Sequence, residues 1–215
     1  RRIVNAARGD GYLKAPIMGP KKEGLYEIPK YVQPETVFLT TPERERFVAL
    51  FRKYRAGFEA QRHPVYTPKY RALVYFMLGV HGGFRFSDWV NFDPKKHVDD
   101  EGMLRLRAHK NDQWVVMLMG PTLTEIVAEI RKIGPLNMNC NDANTWLREL
   151  APEARIEKDV TTHRGRHSFG HLCASIELDV KDTAYFLGVS VEVAKLYYHH
   201  TGTLRREQTI KLSEI

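Results

Sequence analysis

Cysteine is nearly absent. The 215 residues hold two, Cys140 and Cys173, with no pairing pattern. That argues against a disulfide-built secreted scaffold and points to reduced, intracellular thiols. Long apolar runs are lacking too, and no secretory leader is visible, so no membrane partner is expected. Acidic residues are in deficit: 26 Asp and Glu stand against 33 Lys and Arg, a formal net charge of +7. Such a balance suits a polyanionic partner. Regular periodicity is missing from residues 1–37, where Gly, Pro and Lys crowd together, as in Arg8-Gly9-Asp10-Gly11 and Gly19-Pro20-Lys21-Lys22. This stretch reads as a basic linker, able to follow a DNA backbone or to hang as a loose tail. The compact domain is expected over 38–215. Residue 1 is Arg rather than Met, so a piece of a longer protein is expected, with a domain upstream of the linker.

What is present is concentrated in Thr161-Thr162-His163-Arg164-Gly165-Arg166-His167-Ser168-Phe169. Thr161 or Thr162 can cap a helix whose positive end then lies beside two arginines and two histidines. His163 and Arg166 are three apart and share a face, so both can reach one anion, and a phosphate fits best. Two other readings of the same residues stand beside this one. A basic helix face is often just solvated. His163, His167 and His171 also recur at a spacing that can hold zinc. The nearest carboxylates, Asp159 and Glu177, flank that run rather than sit inside it, and Arg164 and Arg166 would repel a cation.

Elsewhere the pattern is mostly helical. Thr41-Pro42 with Glu43 and Glu45 marks a helix start, with Phe47, Leu50, Phe51 and Tyr54 as its apolar face. Thr67-Pro68 marks a second, carrying Leu73, Val74, Met77, Leu78 and His81 and stopped by Gly82-Gly83. Ser87 reads as the cap of a short helix, which puts Arg85 just before it. Asp99 to Gly102 is a turn. Met103 to Ala108 and Trp114 to Met119 read as antiparallel strands around Asn111-Asp112, with Lys110 at the turn edge. Pro121 opens a helix with Ile126, Val127 and Ile130 inward. Asn141 or Asp142 starts another, with Trp146, Leu147 and Leu150 inward and Pro152 ending it. Asp179 to Leu187 is a helix closed by Gly188, and Ser190 caps the next. On that helix Tyr197 and Tyr198 point about 100° apart. Val193, Leu196 and Tyr197 fall at apolar spacing, which makes Tyr197 the core residue. Residues 205–212 form a short amphipathic basic tail.

Taken in order, Gly83-x-Arg85 with Ser87 and Asp88, then Lys110, His163-x-x-Arg166-His167-Ser168-Phe169, Leu187-Gly188 and Tyr198-His199-His200 resemble the tyrosine recombinases, the phage integrase family. The resemblance spans about Phe38 to His200. It implies an α+β, mainly helical catalytic domain of the DNA breaking-rejoining type, with a small antiparallel sheet. It implies catalytic roles for Arg85, Lys110, His163, Arg166 and Tyr198, with Asp88, His167, His199 and His200 in support. Arg85 and Arg166 would clamp the phosphate and Lys110 would donate a proton. Tyr198 would attack, leaving a 3′-phosphotyrosine that a 5′ hydroxyl can reseal. The arginines supply the positive charge, so neither metal nor cofactor is expected. The implied partners are double-stranded DNA, other protomers in a tetrameric synapse, and accessory DNA-bending proteins. The implied location is a prokaryotic cytoplasm, beside the nucleoid. The implied role is site-specific recombination, as in integration or excision of a mobile element. A type IB topoisomerase-like nicking-closing enzyme and a catalytically impaired DNA-binding relative are the alternatives. One position departs: where the family has His or Trp after Leu-Gly, this chain has Val189, which cannot hydrogen-bond to phosphate.

Overall fold

The segment from Tyr70 to Val80 is apolar on nearly every side, and a helix of that kind belongs at the centre of a core. The computed structural model, which describes residues 37–107 and 114–199, puts it there. Helix α2, Pro68–Gly82, buries Tyr70 and the whole run from Ala72 to Val80. Burial of each large apolar side chain contributes about 1.5–3 kcal/mol. Three helices pack around α2 besides α1, Thr41–Glu59: α5, Pro121–Ile133, α6, Cys140–Glu153, and α7, Thr162–Ser175. Between α2 and α5 the chain forms two short helices, α3, Phe86–Asn91, and α4, Pro94–His97. It then forms the strands β1, Met103–Arg107, and β2, Trp114–Leu118. The strands pair antiparallel, Met103 opposite Leu118 and Arg107 opposite Trp114. Leu104, Leu106, Val115 and Met117 face the core, while Trp114 and Leu118 face out. Helices α8, Val180–Leu187, and α9, Val191–His199, pack on each other and on α7.

The expected mainly helical domain with one small antiparallel sheet is what the chain adopts, with local differences. Helix α1 begins at Thr41 as expected, with Thr40 as its cap, where the Glu43 carboxylate accepts from both the Thr40 N–H (2.7 Å) and its hydroxyl (2.9 Å). Arg85 is itself the cap of α3 and Ser87 lies inside the helix, because Asp88 accepts from the Arg85 N–H at 2.9 Å. Helix α6 starts earlier than expected, with Asn139 accepting from the Asp142 N–H at 2.9 Å, and Pro152 is held in its last turn rather than ending it. Trp146 is half-buried and Val193 is exposed, so neither sits as deep as its spacing suggests.

The chain divides into two units, Arg1–Glu35 and Thr36–Ile215, and the described residues lie in the second. The expected linker over 1–37 therefore lies, Val37 apart, outside the described residues. So do Lys110, the Asn111-Asp112 turn, His200, the tail and the His199 side chain. The start of the domain is tied to α7. The Leu39 N–H donates to the Ser168 hydroxyl at 2.8 Å, and Phe38 stacks on His171 with ring centres 3.7 Å apart. No helix among the described residues is long and apolar enough to cross a membrane.

Candidate functional site

Three backbone features bring two arginines together. Helix α2 ends at Gly83, whose φ of 72° is open to glycine and strained for other residues. A Cβ there would also meet the Phe169 ring at 2.5 Å. The chain then reverses into Arg85. Helix α7 projects Arg166 back toward the same turn, where Arg166 Nη1 donates to the Gly83 carbonyl at 2.7 Å. Helix α8 ends at Gly188, with a left-handed φ of 51°, and leaves its last carbonyls unpaired within the helix. Arg85 Nη2 donates to the Gly188 carbonyl at 2.8 Å and approaches the Leu187 carbonyl at 3.4 Å. Arg166 Nη2 donates to that same Leu187 carbonyl.

Two guanidiniums thus share one oxygen at the negative end of a helix dipole. Main-chain oxygens hold them, while a neighbouring carboxylate adds field. Asp88, buried, spends one oxygen on the Arg85 N–H. Its charge favours protonated Arg166. Its other oxygen, Oδ1, has no hydrogen-bond partner among the described residues. Burial, and after it the charge of Arg85, pushes Arg166 down to about 10. It stays cationic at neutral pH. A like-charged pair held this close is under repulsion that a bound dianion or phosphodiester would relieve.

The histidines line the approach. His163 lies on the exposed side, with its ring edge-on to His167 at 4.3 Å between centres. Desolvation, then Arg166, Arg85 and Arg164, lowers its pKa. Burial, followed by His163, Arg166 and Arg164, pushes His167 down to about 4. Both imidazoles are therefore neutral at pH 7 and able to accept a proton. The α7 start differs from expectation: Thr161 makes no side-chain cap, and Asn144 of α6 accepts the Thr162 N–H at 2.8 Å. Among the described residues no group of three His, Cys, Asp or Glu is placed to hold a metal ion.

His81, on α2, is also pushed by burial to about 4 from an ordinary 6.5. Between those values the unfolded chain takes up protons that the folded chain refuses. Each of His81 and His167 therefore contributes stability that is whole above about pH 6.5 and is lost as pH falls toward 4. We expect the thermal midpoint to fall across that window, with His81 and His167 each taking up as much as about one proton on unfolding. His167→Phe should flatten part of the slope. A wild-type midpoint constant from pH 6.5 to 4 would contradict this.

The two tyrosines of α9 face different neighbours. Tyr197 is buried, and its ring lies where a Cβ on Gly170 would sit, 2.8 Å away. Its hydroxyl is 3.1 Å from His167 Nδ1. Burial raises its pKa, and Arg166 and Arg85 work against that rise. Tyr198 is half-buried on the other side. Its hydroxyl bonds the Thr183 hydroxyl at 2.6 Å and donates to the Leu178 carbonyl at 2.5 Å. Desolvation raises its pKa as well. Arg85, Asp88, His163, Arg166 and His167 are thus gathered at one place, and Tyr198 is turned away from it. Val189 is half-buried against the core, and its N–H closes the end of α8 on the Ala184 carbonyl at 3.0 Å. The carbonyls of Gly83, Leu187 and Gly188 escaped the sequence reading because they are main chain. Only the Leu-Gly pair hinted at them.

Similarity to known proteins lies in the fold. The chain matches no protein-family model and no curated protein. Among solved structures, it superposes on the XerA recombinase with a TM-score of 0.60 at 19% identity, covering 81% of this chain and 64% of that one. It superposes on the XerH site-specific recombinase, bound to its difH substrate after cleavage, with a TM-score of 0.62 at 16% identity, covering 84% and 54%. For the catalytic domain of the bacteriophage HP1 integrase the values are 0.52, 18%, 77% and 88%. The chain therefore has the fold of tyrosine recombinase catalytic domains, and it spans less than two thirds of the XerA and XerH chains.

Proposed function

We propose that this chain cuts and rejoins DNA strands through a 3′-phosphotyrosine intermediate, as the catalytic part of a site-specific recombinase that moves a mobile element. The observation that carries the reading is the single Leu187 carbonyl shared by Arg85 and Arg166. It preassembles two forked cations for the non-bridging oxygens of one phosphodiester. The shared fold with XerH, solved on its DNA substrate, supports DNA as the partner.

In this reading a tyrosine oxygen attacks phosphorus and its proton passes to neutral His163. The phosphorus–O5′ bond breaks, and Lys110 gives O5′ a proton. The arginines stabilise charge that grows on the non-bridging oxygens, and little else is asked of the protein. The phosphotyrosine keeps the bond energy, so a 5′ hydroxyl from another strand can reseal it. Register with the family nominates Tyr198 as nucleophile. Its bonds to Thr183 and Leu178 must then break as α9 turns toward the arginines. A second reading makes Tyr197 the nucleophile, and the contact of its hydroxyl with His167 favours it. Oligomer formation on DNA, and help from His199 and His200, belong to the proposal.

The test uses the full-length protein and a nicked duplex carrying the attachment site of its own locus. We expect a complex that survives SDS, and strand exchange between two such sites. Binding should weaken steeply with salt, because basic side chains displace counterions from phosphate. Relaxation of supercoiled plasmid without a partner site would instead indicate a nicking-closing enzyme. Binding with no adduct would indicate an idle relative.

A further inference from the structure

A two-stranded sheet has an open edge on each side, and β2 pairs only with β1 among the described residues. On the far edge of β2 the Val116 N–H points away from β1 and donates to the Tyr185 hydroxyl at 3.1 Å. Tyr185 belongs to α8, which packs along β2. Its own carbonyl accepts from the Gly188 N–H at 2.9 Å, forming the turn that presents the Leu187 and Gly188 carbonyls to the arginines. One residue therefore touches both the arginine-holding turn and the edge of β2. Its main chain shapes the arginine anchor, and its side chain ties down the strand edge. Nothing in the Gly-x-Arg, His-x-x-Arg or Leu-Gly patterns requires a tyrosine at this position.

We propose that Tyr185 is a positioning residue that fixes the β1–β2 hairpin, through the Val116 N–H, in register with the arginine-holding end of α8. This rests on the proposed function, in which Lys110, between the two strands in sequence, protonates the leaving O5′. The core-facing residues Val115 and Met117 seat β2 through apolar contact, which resists lifting more than sliding. The Tyr185 bond adds a directional link along the strand. Without it the arginines stay in place while proton delivery loses alignment.

The balance of the step supplies a selective assay. The tyrosine oxygen bonds phosphorus, the phosphorus–O5′ bond breaks, and the proton leaves the lysine ammonium for O5′. If sulfur replaces the bridging O5′, it departs as a thiolate and needs no proton, since thiols ionise near pKa 8.5. With full-length protein and its own site, Tyr185→Phe should cut the ordinary phosphodiester about three- to tenfold more slowly, as expected for one lost hydrogen bond. It should cut the 5′-thio substrate at nearly the wild-type rate. Val116→Pro removes the same N–H from the other side and its ring also pushes the Tyr185 hydroxyl aside, so it should slow the ordinary substrate at least as much and be rescued by the 5′-thio substrate alike. Lys110→Ala, as the reference, should show a deeper loss with the same rescue. Equal slowing of Tyr185→Phe on both substrates, or no slowing on either, overturns the positioning role. Failure of Lys110→Ala to be rescued overturns the underlying role of Lys110 instead. Should Tyr185→Phe not fold, Val116→Pro carries the test alone.

Discussion

Replacing Tyr198 by phenylalanine should abolish the covalent protein–DNA adduct while leaving duplex binding intact. Loss of a nucleophile costs about 10⁴-fold or more in rate, because nothing else in the site can form the bond. Binding survives because the arginines, not the phenol, hold the phosphate. Tyr197→Phe should still give the adduct, since its hydroxyl serves as a partner for His167 in the free chain. The contest is a close one physically. Adjacent helix residues point about 100° apart, so a rotation of α9 by that angle exchanges the two hydroxyls. In the free chain Tyr198 holds two short bonds, to Thr183 and to the Leu178 carbonyl, and Tyr197 holds the place nearer the arginines. Mapping the adduct peptide from a suicide substrate decides between them. An adduct on Tyr197, with Tyr197→Phe dead and Tyr198→Phe active, would shift the nucleophile by one residue and make His167 its base.

Arg166→Ala should slow single-turnover cleavage by about 10²–10³-fold, the usual cost of losing one transition-state donor in a desolvated site. The fold should lose much less. Truncation leaves the Gly83 and Leu187 carbonyls short of a donor, which costs about 1–3 kcal/mol. It also removes a buried cation that Arg85 repels, and that offsets part of the cost. Arg166→Lys should recover little activity, since an ammonium cannot span the two carbonyls and also face the phosphate in a fixed plane. DNA affinity should fall far less than the rate does, because the interaction matters most once charge has built up. A loss that appears equally in binding and in rate would mean that Arg166 only anchors substrate. A thermal midpoint lowered so far that the protein is unfolded at the assay temperature would mean that Arg166 is chiefly a structural tie between α2, α7 and α8.

Much of the fold is legible in the sequence. Thr67-Pro68 with Leu73, Val74, Met77 and Leu78 at helical spacing announced a core helix, because the helical period is a local property, while its place at the centre came only with the burial of Tyr70 and of 72–80. Thr67-Pro68, Gly83 and Gly188 marked starts and stops through fixed φ, a side-chain cap and left-handed backbone, all of them local effects. Alternation in 103–107 and the apolar run of 114–118, on either side of a turn signal, gave the antiparallel strands for the same reason. Misplacements came where a neighbouring side chain outvoted the local signal. Asp88 made Arg85 rather than Ser87 the cap of α3. Asn144, far off in sequence, took the N–H expected to be capped within α7.

The sequence by itself determined the chemical inventory, namely two spaced arginines, neutralisable histidines and a tyrosine pair in family order. Residue type and helical spacing are local properties, and they survive any change in packing. Only the tertiary structure decided how that inventory is held. Arg85 and Arg166 meet because the ends of three separate elements converge on one carbonyl, Leu187. The two tyrosines differ because α9 docks with one hydroxyl toward His167 and the other toward Thr183. Such choices depend on main-chain atoms and helix rotation. A side-chain pattern does not encode them, since every residue carries the same carbonyl and a turn of 100° leaves the sequence unchanged.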